Sequence, residues 1–194
     1  MSITISAVIL AGGKSRRMQG QDKGLQLLKN KPLFLHCYHR LQPQIKNISI
    51  NANRNLTEYQ KSNLNVFSDT LTDFQGPLSG MLTALKNANT DFVLFVPCDC
   101  PYFPLNLCQK LKEPMNHNDK ILISYVYDGN REHPTFCLAS RKIIPALEKY
   151  LQSGQRKMLD FIHSQKHIAV DFSDNKQAFK NINNLEELSY LNSI

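Results

Sequence analysis

The sequence predicts an α/β protein: a three-layer sandwich with a mostly parallel, doubly wound central sheet and helices on both faces. Three observations carry this. In the first half of the chain, short runs of β-branched and aliphatic residues alternate with segments whose apolar residues recur at helical spacing. Residues 91–97, Asp-Phe-Val-Leu-Phe-Val-Pro, are apolar almost without interruption, the pattern of a strand buried on both faces. Glycines, an asparagine and two aspartates stand where the strands run out, at the edge where such sheets bind ligands.

Ile5–Leu10 reads as the first strand, short, rich in β-branched residues and running into Gly12-Gly13. The following segment, 11–24, is a polar and basic loop holding Lys14, Arg16, Arg17 and Lys23. Pro32 is expected in the first turn of a helix whose apolar positions recur over Leu33–Leu41. A second strand is expected at Ile48–Asn51, a short helix over 56–62, and a third strand at 66–67 running to Asp69. Pro77 opens a helix with Leu78, Met81, Leu82 and Leu85 on one face. The 91–97 strand leads into a loop punctuated by Pro97, Pro101 and Pro104, then a helix around 105–111. Beyond it the reading is a strand at 121–127, a turn at Asp128-Gly129-Asn130 and a strand at 135–138. Helices near 143–151 and 158–164, a strand at 167–172 and a helix near 185–191 complete it.

Composition bounds the partners. The 194 residues carry 23 Lys+Arg against 16 Asp+Glu, a formal net charge of +7, with 42% hydrophobic and 20% charged residues. A chain of this length and composition buries enough surface for one self-sufficient domain spanning 1–194. No apolar run approaches the ~20 residues of a membrane span, and Met1-Ser2-Ile3-Thr4 has no positive region of a secretory signal. A soluble, cytoplasmic chain is expected. The five cysteines agree: an odd count without framework spacing points to reduced thiols, and Cys98-Asp99-Cys100 is not a zinc knuckle. The positive charge calls for an anionic partner. Because Lys and Arg are scattered, phosphorylated small molecules rank ahead of nucleic acid. With no oversized apolar helix face, a monomer is expected.

The first constellation that points to chemistry is Leu10-Ala11-Gly12-Gly13-Lys14-Ser15-Arg16-Arg17-Met18, continued by Asp22-Lys23-Gly24. Glycines let backbone amides approach a phosphate, and four cations in one loop match the charge of a triphosphate. A tight turn with a solvated basic face is the plainer alternative. Two standard phosphate loops fail: G-x-x-x-x-G-K-[ST] needs glycine where Val8 stands, and G-x-G-x-x-G does not fit Gly12 to Arg17. Asp99 ends the strongest strand. A lone carboxylate there suits Mg²⁺, which fills its shell with water and phosphate oxygens; the alternative is a helix N-cap. Asn51 and Asp69 end neighbouring strands, with Asn53-Arg54 close behind, and suit the edge of a base or ribose; turn capping serves equally for either alone. Gly76-Pro77-Leu78-Ser79-Gly80 permits close backbone contact with a flat ring. The six histidines form no nucleophile or zinc motif, which fits phosphoryl or nucleotidyl transfer, a chemistry of positioning and cations.

Leu10-Ala11-Gly12-Gly13 with Arg17-Met18 and Lys23-Gly24 resembles the signature of sugar-phosphate and cofactor nucleotidyltransferases. Among these, the chain resembles the molybdenum cofactor guanylyltransferase family. The likeness runs through Lys31-Pro32-Leu33, Asn51-Ala52-Asn53-Arg54, Gly76-Pro77-Leu78-Ser79-Gly80-Met81 and Pro97-Cys98-Asp99. It continues through Arg131-Glu132-His133-Pro134-Thr135, Asp171-Phe172-Ser173-Asp174 and Phe179-Lys180-Asn181-Ile182-Asn183. The resemblance implies a Rossmann-like, nucleotide-diphospho-sugar-transferase-like fold. It also implies transfer of GMP from GTP to the terminal phosphate of molybdopterin, with release of pyrophosphate. By the same resemblance, Leu10, Ala11, Gly12, Gly13, Asn51, Asp69 and Gly80 bind the nucleotide. Lys23 neutralises phosphate charge, Asp99 holds Mg²⁺ as the cofactor, and Asn181 and Asn183 face the pterin. Lys14 and Arg17 are added on electrostatic grounds, Arg17 joining Lys23 and Asp99 as a catalytic group. Other expected partners are molybdenum cofactor biosynthesis proteins and molybdoenzyme chaperones, met transiently. The rival readings are a cytidylyltransferase or sugar-phosphate nucleotidyltransferase of the same fold, and a non-catalytic nucleotide-binding module.

Overall fold

The computed structural model describes residues 3–13, 20–71 and 76–193. Its strands are β1 (Ile5–Leu10), β2 (Leu27–Leu28), β3 (Lys31–Pro32), β4 (Ile48–Asn51), β5 (Asn65–Phe67), β6 (Phe92–Pro97), β7 (Ile123–Tyr127), β8 (Glu132–Ser140) and β9 (His167–Asp171). The α-helices are α1 (Leu33–Leu41), α2 (Leu56–Gln60), α3 (Pro77–Asn87), α4 (Leu107–His117), α5 (Ile144–Gln152), α6 (Met158–His163) and α7 (Leu185–Ser193). Seven strands form one sheet in the order β5-β4-β1-β6-β8-β7-β9. Neighbours pair in parallel except at β8, which runs against both β6 and β7. The reason is local: β7 and β8 are joined by a hairpin turn, where the Asp128 side chain accepts from the Asn130 and Arg131 amides, both at 2.8 Å.

Side chains of β1 and β6 alternate between two buried faces, as their unbroken apolar runs require. Ala7, Ile9, Leu94 and Val96 pack against Phe34, Cys37 and Leu41 of α1 and Leu107, Leu111 and Met115 of α4. Val8, Leu10, Val93 and Phe95 pack on the opposite face against Leu78, Met81 and Leu85 of α3, Leu147 of α5 and Phe161 of α6. The predicted mostly parallel sheet with helices on both faces is the observed one.

The structure corrects four local readings. Pro32 is not in the first turn of α1: it ends β3 and caps the helix, with extended backbone (φ −54°, ψ 141°). It belongs to a β2–β3 hairpin that was not expected, closed by Lys29 and Asn30 at φ 48° and 61°. Strands of two residues leave no periodicity to read. The helix expected at 105–111 runs instead over Leu107–His117, through Pro114. β8 starts at Glu132 rather than 135 because the pairing jumps from Tyr125/Cys137 to Val126/His133. Pro134, which has no amide to donate, falls in that bulge.

Parallel pairing puts the carboxyl ends of β1, β4, β5 and β6 on one edge. There the Ala11 amide still donates to Asn51 O at 2.8 Å and the Cys98 amide to Leu10 O at 3.1 Å. Leu10-Ala11 is therefore flanked by the end of β4 on one side and the end of β6 on the other. This is where the chain, having wound outward from β1 through β4 to β5, crosses back to β6. A crevice forms at such reversals.

Candidate active site

On the β6 side the centre is Asp99, two residues past the strand. Lys23 Nζ donates to its Oδ2 at 2.9 Å and Asn181 Nδ2 to its Oδ1 at 3.1 Å. The Lys23 and Asp99 side chains are only 19% and 10% exposed, so the ion pair is shielded from solvent screening. The Ile182 amide donates to Asp99 O at 2.8 Å, tying the 181–183 segment to the strand end. Asn183 adds a 3.4 Å contact from its Oδ1 to Lys23 Nζ and is held by its own amide on Glu187 of α7 at 2.8 Å. Four expected residues, Lys23, Asp99, Asn181 and Asn183, are thus one connected group.

On the β4 side Asn51 Nδ2 donates to Asp69 Oδ1 at 2.7 Å. Asn53 closes the group, donating to Gly12 O at 3.3 Å and accepting from the Asp69 amide at 2.9 Å. Gly80, in the first turns of α3, lies directly over this pair: a Cβ there would collide with Asn51 Oδ1 and come within 3.2 Å of Asp69 Oδ1. Close approach of the helix backbone, not turn geometry, requires the glycine. Gly12 is also hemmed in, 2.7 Å from Asn53 Nδ2 to an added Cβ, whereas a Cβ on Gly13 would meet nothing within 4 Å among the described residues. Asn51, Asp69, Gly80, Gly12 and Leu10-Ala11 therefore meet in one place. Lys14, Arg16 and Arg17 lie outside the described residues.

Lys23 owes its position to residues for which the sequence suggested no such holding role, Arg54 among them, which in the sequence reads with Asn53 as suiting a base or ribose edge. Asp22, buried, accepts from the Gly24 amide at 3.2 Å, Tyr59 Oη at 2.7 Å and Asn55 Nδ2 at 3.2 Å. Arg54 lies 3.6 Å from the same carboxylate and donates to Gly20 O at 2.7 Å and Gln21 O at 3.2 Å. Tyr59 and Arg54 thus clamp the returning end of the glycine loop onto α2 and the turn before it. The signal was present in Asp22 and Arg54, quoted in the glycine-loop and strand-end constellations without this holding role.

A second buried polar pair stands at the same sheet edge: His133 Nε2 lies 2.6 Å from Asp128 Oδ2. Burial would raise the Asp128 carboxyl, but hydrogen bonds from His133 and from the Arg131 and Asn130 amides outweigh it and hold it at about 2. Among the histidines this one is not a surface residue; the clue was a turn aspartate facing it across a hairpin. The Cys98 and Cys100 thiols are buried, and burial together with the neighbouring Asp99 charge pushes both well above the ordinary thiol range. They pack in the core rather than act as nucleophiles.

A lysine–carboxylate pair past the end of β6 and a hydrogen-bonded amide–carboxylate pair at the end of β4, flanking Leu10-Ala11 at the carboxyl edge of a doubly wound sheet, are the arrangement of the nucleotidyltransferase class. The chain belongs to the MobA-like NTP transferase family, whose domain profile matches residues 7–168. It is 60% identical to the molybdenum cofactor guanylyltransferase of Pasteurella multocida (strain Pm70), over 97% of this chain and 99% of that one. It is 58% identical to the molybdenum cofactor guanylyltransferase of Histophilus somni (strain 2336), over 100% and 99%. The crystal structure of molybdopterin-guanine dinucleotide biosynthesis protein A from Archaeoglobus fulgidus has the same fold. Its TM-score is 0.79 at 17% identity, over 97% of each chain.

Proposed function

We infer that the chain transfers GMP from GTP to the terminal phosphate of molybdopterin, forming molybdopterin guanine dinucleotide and releasing pyrophosphate. Full-length identity of 57–60% to molybdenum cofactor guanylyltransferases is the observation that carries this reading. The geometry supplies a rationale for each part. Asn51, Asp69 and the close backbone of Gly80 suit the hydrogen-bonding edges of a nucleoside, and Gly12, Gly13 and Lys23 suit its phosphates.

The attacking phosphate is anionic at neutral pH, so the reaction needs no general base. What has to be overcome is repulsion between two polyanions. Lys23 meets that need, and its ammonium already lies against Asp99 as a cation would. The Asp99 carboxylate fits a Mg²⁺ ion, which takes few protein carboxylates and completes its shell with water and phosphate oxygens. Among the described residues no group of three or more His, Cys, Asp or Glu offers a denser metal cage. Bound there, Mg²⁺ would supply charge neutralisation at the triphosphate. Lys23 would then leave Asp99 for the phosphates, while Asn181 keeps the carboxylate oriented.

Among the described residues no helix is long and apolar enough to cross a membrane. Function in the cytoplasm as a monomer, with transient contacts to cofactor biosynthesis proteins and molybdoenzyme chaperones, belongs to the same proposal. The test is incubation with molybdopterin, Mg²⁺ and each labelled NTP in turn. Dinucleotide and pyrophosphate are expected with GTP alone; equal use of CTP or UTP would return the chain to the cytidylyl- or sugar-phosphate transferases.

A further inference from the structure

The loop after β6 that carries Asp99 makes no repeating secondary structure until α4 begins, and Pro97, Pro101 and Pro104 contribute no amides to it. Its carbonyls therefore need partners from elsewhere. One comes from the 181–183 segment, through the Ile182 amide on Asp99 O. Others come from α1 and the turn after it, where positions 37, 40 and 44 are spaced to share one helical face. The buried Cys37 thiol lies 3.5 Å from Pro97 O, 3.6 Å from Cys98 O and 3.7 Å from Cys100 O, donating among carbonyls on both sides of Asp99. Arg40 Nε donates to Phe103 O, and its guanidinium lies 5.9 Å from the centre of the Phe103 ring. Gln44 Nε2 reaches Pro104 O at 3.5 Å, and its Oε1 accepts from the Cys108 amide at 2.9 Å. That bond caps α4, whose own N-cap residue Asn106 makes no side-chain bond to the helix.

The same helix holds the other half of the ion pair. Phe34, one turn before Cys37, packs edge-on against Tyr59 with ring centres 4.9 Å apart, and Tyr59 is the donor to Asp22 beside Lys23. His36 Nε2 lies 2.8 Å from Leu28 O, tying α1 to the hairpin that follows Lys23. One helix thus fixes Lys23 and Asp99 against each other across 76 positions. Burial and the Asp99 charge push the Cys37 thiol well above its ordinary range, so it stays protonated and remains a donor. We propose that Cys37 and Arg40 are positioning residues for the transfer reaction, setting through the 97–104 loop how the Asp99 carboxylate stands relative to Lys23 and the substrate phosphates. The proposal rests on the reaction inferred above and acts through Asp99 alone. A misplacement of about 1 Å at reacting groups costs about a hundredfold in rate. Losing one of several holds on the loop is expected to cost about tenfold.

Cys37→Ala and Arg40→Ala are compared with Cys37→Ser and Arg40→Lys, which keep a donor, and with Leu41→Val, which trims a core side chain of the same helix and removes none. Each alanine variant is expected to lower kcat about tenfold and to leave the GTP KM within twofold, because the Asn51–Asp69 pair is untouched. The serine and lysine variants should recover most of the loss. Mn²⁺ titrated into the full chain with GTP, followed by electron paramagnetic resonance, reads the Asp99 carboxylate without turnover. It should bind about tenfold more weakly in the alanine variants and as in the wild type in Leu41→Val. Lower thermal midpoints with unchanged kcat and Mn²⁺ affinity, or an equal loss in Leu41→Val, would mean that α1 supports the fold alone. The two readings fail separately. A wild type that makes no dinucleotide, while the alanine variants still weaken Mn²⁺ binding, sinks the reaction and keeps the positioning; dinucleotide formed at wild-type kcat by both alanine variants does the reverse.

Discussion

The Asp99 carboxylate accepts from a charged donor, the Lys23 ammonium, and from two neutral ones, the Asn181 amide and, at 3.7 Å, the Cys100 thiol, and this asymmetry sets what a substitution there does. Asp99→Asn keeps the volume and a hydrogen-bonding group but removes the charge that balances Lys23. Turnover measured by pyrophosphate release is expected to fall at least a hundredfold, with the thermal midpoint within a few degrees. Near-normal Mg²⁺-dependent turnover would remove the metal role. At Gly80 a single methyl must displace the Asn51–Asp69 pair, because no space exists for both. Gly80→Ala is expected to weaken GTP binding tenfold or more in a calorimetric titration. An unchanged Kd would mean that the pair does not contact the nucleotide. The glycines were readable as close-approach positions from their place after β1 and at the start of α3. Their neighbours were not, since Asn53 reaches Gly12 from 41 residues away.

At the scale of elements, the strands that carry the site were legible and the devices that hold its loops were not. β1 and β6 announce themselves by unbroken apolar runs, because parallel pairing buries both faces. The β2–β3 hairpin has two residues on each side and a Lys-Asn turn, too little for any period to register. The clamp on the glycine loop is likewise invisible to pattern: Tyr59 is spaced as a core residue of α2, and its hydroxyl bond to Asp22 spans 37 positions. Tyr59→Phe keeps the ring in the core and deletes that bond. Loss of one bond to a buried carboxylate costs about 1–3 kcal/mol, visible as a lower urea midpoint. With Lys23 less firmly placed, the GTP KM should rise several-fold while the molybdopterin KM holds. If stability drops but both constants stay fixed, the clamp serves the fold alone.

For the molecule as a whole, the Asp128–His133 pair at the hairpin is one source of acid sensitivity. The carboxyl ionises at about 2 in the folded chain against an ordinary value near 3.8. A depressed folded value contributes stability above the unfolded one, and the contribution fades as pH falls from about 4 towards 2. The full effect is about 2 kcal/mol. Asp128→Asn should therefore lose stability at pH 7 and show a flatter decline between pH 4 and 2 in urea titrations. A parallel acid limb in the variant would exclude the pair. The doubly wound architecture was evident from alternation alone, yet the closing of the site was not. Asn181 and Asn183 attracted notice only through resemblance, since nothing local in the sequence tells a residue that it will touch a carboxylate 82 positions earlier. That separation also carries a timing consequence for biosynthesis. While a ribosome is still translating the codons between the two, the nascent polypeptide displays its strand-end carboxylate without the amides that orient it. A chain truncated anywhere in that interval lacks the Asn181 donor to Asp99 and is expected to release no pyrophosphate from GTP.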